Sequence, residues 1–174
     1  VNWGDTLSPD NETTYTYGPS DTGTQTFQLT HQYLDDNPTD TARDTYTINV
    51  MVTDDDGDTD TADTTVTVGN VAPIVQLDSV TIINEDGTAI LTGTITDPGT
   101  LDTFTLVVNW GDPLSPANQT THTYGPSDTG IQTFQLTHQY LDDNPTGTPH
   151  DTYMIHVAVT DDDGATDTAG TSVT

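Results

Sequence analysis

The sequence has no cysteine and no lysine, and Arg43 is its one strongly basic residue beside five histidines. Disulfide staples and thiol chemistry are therefore excluded, as is a lysine nucleophile. Aromatic residues make up 7% of the chain and hydrophobic residues 30%, so apolar side chains must be concentrated to form a core. No apolar run approaches the ~20 residues that a bilayer-spanning helix needs, and no membrane insertion of this segment is expected. Aspartate is what the chain has instead. Of 28 acidic residues only Glu12 and Glu85 are not Asp, and the net charge is −27. Such a surface repels nucleic acid phosphate and anionic membrane, so nucleic acid is not an expected partner. Low apolar content with high charge also suits a disordered chain. Against disorder stands the clean alternation of Phe104, Leu106, Val108, Trp110 and of Phe134, Leu136, His138, Tyr140.

The chain is organised around a stretch that occurs twice. Residues 26–57 read TFQLTHQYLDDNPTDTARDTYTINVMVTDDDG, and residues 133–164 read TFQLTHQYLDDNPTGTPHDTYMIHVAVTDDDG, an offset of 107. Tyr46, Ile48, Val50 and Val52 recur as Tyr153, Ile155, Val157 and Val159. The interleaved Thr47, Asn49 and Met51 change to Met154, His156 and Ala158. Only every second position is free to vary, which marks a strand with one face in a core. Each run ends in Asp-Asp-Asp-Gly, a turn.

Residues 1–67 match residues 108–174 without a gap, so the chain is expected to be a window on a longer array. Residues 1–68 read as a partial module lacking its N-terminal strands, 69–73 as a linker and 74–174 as a complete module. Strands are predicted at 74–78, 80–83, 89–96, 103–110, 120–124, 131–140, 153–160 and 166–174, with no helix. Short strands at this density predict an all-β fold of immunoglobulin-like β-sandwich modules in tandem.

Asn109-Trp110-Gly111-Asp112, then Thr137-His138-Gln139-Tyr140, then Val157-Ala158-Val159-Thr160 with the acidic turn behind it, follow an Ala72-Pro73 opening. Together they resemble the PKD domain, found in tandem on microbial surface proteins. The resemblance covers residues 72–174 and, in part, 1–68. It departs from the family at Thr6 and Pro113, where glycine is usual, and in the longer loop 141–151. It implies an extracellular or cell-surface location.

The acidic turns carry the strongest functional signal. Asp54-Asp55-Asp56-Gly57 does not fit an EF-hand, because the first ligand position counted back from Gly57 is Val52. Adjacent carboxylates about 4 Å apart repel by roughly 4 kcal/mol at an effective dielectric near 20. An immunoglobulin-like fold puts Asp97 and Asp102 at the same end as Asp161, Asp162 and Asp163. The loops with Asp5 and with Asp35 and Asp36 fall at the opposite end. Stacked modules would bring acidic ends together, and Ca²⁺ is the expected cofactor for such oxygen ligands, Asp54, Asp55 and Asp56 included. His122, His150 and His156 have no histidine counterpart in the first segment, so a shared zinc site is not expected. Asn11 and Asn118 head Asn-X-Thr sequons and are candidate glycosylation sites.

Trp110 and Trp3 fit core packing better than sugar stacking, since Trp110 shares a strand face with Phe104, Leu106 and Val108. His138 and Tyr140 read as a structural corner. No nucleophile and base with motif support is present, so an enzyme is not expected. The reading is a structural repeat module of an extracellular fibre, stalk or surface protein, stiffened by calcium and carrying glycan. A carbohydrate-binding or adhesion module is the alternative. Expected partners are neighbouring copies of the module, in cis or in trans, supplying strands equivalent to residues 74–107 head to tail.

Overall fold

The computed structural model describes residues 1–36, 39–143 and 146–174. Asn37, Pro38, Asn144 and Pro145, and with them part of the long loop 141–151, lie outside the described residues. Every regular element among the described residues is a strand, and every ladder is antiparallel. The chain divides into two compact units, Val1–Thr39 with Arg43–Gly69, and Asp40–Ala42 with Asn70–Thr174. Each is described by itself.

The second unit holds seven strands: β3 (Ile74–Leu77), β4 (Gly87–Thr96), β5 (Phe104–Asn109), β6 (Gln119–Tyr124), β7 (Ile131–Tyr140), β8 (Tyr153–Asp161) and β9 (Thr166–Val173). They form two sheets, of order β3-β4-β7 and β6-β5-β8-β9. The period-two pattern places Ala89, Leu91 and Ile95 of the first sheet in one buried cluster with Leu106, Ile155 and Val159 of the second. Two sheets sharing a core in this way make a β-sandwich. Gly93 makes room for its two neighbours in the first sheet, because a Cβ there would lie 2.3 Å from the Gln76 carbonyl oxygen on β3 and 2.7 Å from Phe134 Cζ on β7. Any larger residue at that point would push both β3 and the Phe134 ring away from β4.

One expected element is absent. Residues 80–83 form no strand; Val80 and Ile83 both pack on the core while Ile82 is exposed. Val80 and Ile83 are three positions apart, and a strand would have put them on opposite faces. Its backbone is tied by Ile83 N–H, which donates to the Thr174 carbonyl at 3.0 Å.

The first unit holds β1 (Arg43–Thr53) and β2 (Thr59–Gly69), an antiparallel hairpin. Asn2 bridges to Asn49 on β1 and to Glu12. Residues 24–33, the counterpart of β7, join no ladder although their sequence is nearly the same. In the second unit β7 pairs with β4 alone, and the first unit has no counterpart of β4 among the described residues. A strand needs a neighbour to take up its backbone groups, so the same sequence is irregular where that neighbour is missing.

Candidate functional site

Three strand ends meet in the second unit. Asp97 follows β4 and its N–H donates to the Gly130 carbonyl at 2.9 Å. Asp102 precedes β5 and is tied to Gly99 by its N–H at 3.3 Å. Asp161 ends β8, where its N–H donates to the Ala165 carbonyl at 3.0 Å. The three residues are 5%, 2% and 6% exposed, and carboxylate oxygens from all three lie within 4.8 Å of one another. Backbone and amide donors fix their orientation. Gly99 N–H donates to Asp97 Oδ1 at 2.8 Å, Ala165 N–H to Asp161 Oδ1 at 2.7 Å, and Asn70 Nδ2 to Asp161 Oδ2 at 2.8 Å. Gly99 leaves room for the group, since a Cβ there would fall 2.5 Å from Asp102 Oδ2.

Electrostatics make this arrangement costly as it stands. At 4.8 Å two unit charges repel by about 3.5 kcal/mol at an effective dielectric near 20, and three such pairs approach the whole stability of a domain, about 5–15 kcal/mol. The one Arg of the chain belongs to the first unit, and the second has no Lys or Arg to offset the charge. The donor set is all hard oxygen, without histidine or thiolate, which suits Ca²⁺ or Mg²⁺ and not zinc.

The other acidic residues are used differently. Asp162 is exposed and its Oδ1 accepts from the Thr103 N–H at 2.9 Å; Asp163 is half-buried. In the first unit Asp54, Asp55 and Asp56 are exposed, and Asp54 Oδ1 accepts from the N–H groups of Asp56 and Asp58 at 3.1 and 2.8 Å. Asp54 is the counterpart of Asp161, so the leading Asp of each acidic turn is accounted for by closing that turn. Asp36 is buried, and its N–H donates to Oδ1 of the half-buried Asp35 at 2.7 Å. Sequence reasoning did not single out Glu85, which shares a cleft with Asp142 and Asp143 and has an oxygen within 4.8 Å of theirs. Two of these three are exposed, so water solvates them.

A second constellation occurs once in each unit. Trp110 is fully buried; His138 stacks on it with ring centroids 5.1 Å apart and meets Tyr140 edge-on at 4.7 Å. His138 Nε2 lies 3.1 Å from Asp112 Oδ2, and the Tyr140 hydroxyl donates to the Trp110 carbonyl at 2.7 Å. Trp3, His31, Tyr33 and Asp5 repeat the pattern, with 5.2 Å, 4.7 Å, 2.9 Å and 2.9 Å in the same order. Burial raises the Tyr140 pKa above that of an ordinary phenol, and the Asp112 carboxylate and Tyr153 add to it. The same causes, burial first and then Asp5, raise that of Tyr33.

Both sequons belong to this constellation. The Asn118 carbonyl accepts from Trp110 N–H at 2.8 Å, its Oδ1 from Asp112 N–H at 2.6 Å, and Thr120 Oγ1 from Trp110 Nε1 at 2.9 Å. Asn11 and Thr13 hold Trp3 and Asp5 in the same way. In both units the Asn and Thr of the sequon also seat an indole. Neither indole is available as a flat sugar platform, since both are buried. The turn over Pro113 is closed by Ser115 N–H, which donates to the Asp112 carbonyl and to Asp112 Oδ1, each at 3.2 Å.

No family model matches the chain, and no curated protein matches it. Among solved structures, Pseudomonas fluorescens alkylpurine DNA glycosylase AlkC bound to DNA containing an abasic site analog aligns with 57% of this chain and 30% of its own. The identity is 12% and the TM-score 0.31, and this chain spans under a third of that protein's length. The expectation that the chain is not an enzyme is withdrawn, since a solved structure that aligns with it is that of an enzyme. A likeness of that size assigns no activity or substrate to this chain.

Proposed function

We propose that the chain is a repeat module of an extracellular fibre, stalk or surface protein, built from PKD-like sandwiches of immunoglobulin type and stiffened by calcium. One observation carries the reading: the buried meeting of Asp97, Asp102 and Asp161 in a unit that has no Lys or Arg to balance it. A Ca²⁺ ion there would tie the ends of β4 and β8 to the start of β5, with backbone oxygens and water completing its six to eight ligands. Three carboxylates in a rigid loop set suit the weak affinity of extracellular modules, about 10⁻⁴ to 10⁻³ M. That range fits a location where calcium is millimolar. The 107-residue repeat supports the mechanical role, because tandem repetition lengthens a chain by adding like units.

Calorimetric titration of the full chain with calcium, paired with thermal melts with and without chelator, tests this. Binding to the folded state should raise the melting temperature, and Asp102→Asn should abolish the rise while keeping the fold. Absence of binding at millimolar calcium, or a melt indifferent to chelator, overturns the reading.

A further inference from the structure

The β8–β9 ladder and its counterpart β1–β2 have nearly the same sequence but opposite relief on their outer faces. Ala158 and Gly170 stand where the first unit has Met51 and Asp63, and His156 stands where it has Asn49. His156 pairs with Gly170 and Ala158 with Thr168, so the three changes fall on neighbouring rungs of one face. The short side chains leave a hollow of about 460 Å³, lined by Val107, Asn109, His156, Ala158, Thr168 and Gly170. In the first unit the same rungs carry a projection: Met51, opposite Thr61, is 64% exposed, and Asp63 sits opposite Asn49. The face around the hollow is also free of carboxylates. The outward positions of β5, β6, β8 and β9 include no Asp or Glu in a chain that has 28 of them, and His156 is their one ionisable side chain. An acidic partner can therefore approach this face without meeting like charge there.

We infer that the hollow over Ala158 and Gly170 is a docking site for Met51 of a second copy of this chain, the two copies joined side by side through the outer faces of their sheets. Methionine suits the task, because its unbranched, flexible side chain fills irregular gaps. Charge and spacing select the same partner. Asp63 lies diagonally across the β1–β2 ladder from Met51, a separation of about 7–8 Å, and His156 lies two positions along β8 from Ala158, about 7 Å away. One approach therefore seats Met51 in the hollow and brings Asp63 to His156. Projection and hollow are different surfaces, so the contact is heterologous, and a joined pair still offers one free Met51 and one free hollow to further copies. No strand changes hands in such a contact, which sets it apart from a head-to-tail supply of strands. The inference deepens the reading of the chain as a repeat module by naming a lateral partner, and its test is independent of calcium binding at Asp97, Asp102 and Asp161.

Sedimentation of the full chain from micromolar to millimolar concentration tests this, in about 1 M salt, where a screening length of about 3 Å removes long-range repulsion between copies. The expected result is a mass that rises with concentration and passes the dimer. Met51→Ala should weaken association by about tenfold or more, and so should Ala158→Met, which fills the hollow. Gly170→Asp is a second way to fill it: a Cβ there meets the Ile155 carbonyl oxygen at 3.6 Å and His156 Nδ1 at 3.8 Å, ordinary contact distances. Ala158→Met and Gly170→Asp install what the first unit already carries at the same rungs, so the fold should be kept, and thermal melts of each variant check it. Mixing decides the assignment. Met51→Ala keeps its hollow and Ala158→Met keeps its projection, so the two variants, each a monomer alone, should form a one-to-one pair that grows no further. A wild-type chain that stays monomeric at millimolar concentration, association that survives Ala158→Met or Met51→Ala, or a mixture that fails to pair overturns the proposal. If association fails while calcium still raises the melting temperature, the docking site falls and the repeat-module reading stands.

Discussion

Phe134 and Phe27 sit in the same eight-residue string, TFQLTHQY, yet one lies in a sandwich core and the other faces solvent. The string is a strand in the second unit and joins no ladder in the first. By contrast, Trp110 with His138, Tyr140 and Asp112 is reproduced in the first unit to within about 0.2 Å by Trp3, His31, Tyr33 and Asp5. The difference separates two kinds of order. Hydrogen bonds and ring contacts among side chains that both units possess survive without a complete sandwich. In the second unit, burial of the β7 and β8 residues is shared with β4 and β5, whose Ala89, Leu91, Leu106 and Val108 belong to the same core.

The largest expected effect sharpens this contrast directly. Ile155 is fully buried and Ile48, its counterpart, is half-buried. Ile155→Ala should cost about 2–5 kcal/mol, the range for a large-to-small change in a packed core. Ile48→Ala should cost clearly less, because half of the lost contact is already with water. Chemical denaturation of both variants measures the difference, and equal losses would mean that the first unit is covered in solution.

Strand content of the second unit was legible because Ile155, Val157 and Val159 alternate with residues free to change. The predicted core list holds there, with Leu136 only half-buried. The 80–83 segment was misread because Val80-Thr81-Ile82-Ile83 has strand composition; its three-residue spacing of inward side chains was the available warning. The meeting of Asp97, Asp102 and Asp161 was anticipated from loop placement, while the roles of Asp162 and Asp54 as acceptors for backbone N–H groups were not. Those roles depend on turn geometry, which a run of identical residues does not disclose. The second role of the sequon residues was not legible, because the indole that Thr120 and Asn118 hold is eight to ten residues away.

A smaller effect probes the part the units share. Tyr140→Phe removes the hydroxyl that donates to the Trp110 carbonyl, a buried bond, and should cost about 1–3 kcal/mol. Tyr33→Phe removes the matching bond to Trp3 in a half-buried setting, where water replaces part of it. The ratio of the two losses reports how far the shared constellation depends on the surrounding sandwich. If Tyr33→Phe proved the costlier change, the constellation would be the main support of the first unit rather than an addition to a core.

The smallest effect is a pH slope. The Tyr140 pKa is raised in the folded protein, by burial first and then by the Asp112 carboxylate and Tyr153, while the unfolded chain has a phenol near the ordinary value of about 10. The unfolded state therefore loses its proton first as pH rises. Below about pH 10 both states hold the proton and stability is independent of this group; above it the unfolded state gains and folding weakens by up to about 1.4 kcal/mol per pH unit. Denaturation measured from pH 9 to 11.5 should show stability falling, with tyrosinate absorbance from Tyr140 appearing only as the second unit unfolds. In Tyr140→Phe the slope should be shallower by about 1 kcal/mol per pH unit. An unchanged slope would show that the hydroxyl meets solvent in the folded state, and the difference between the covered and open units would then not reach this corner of the fold.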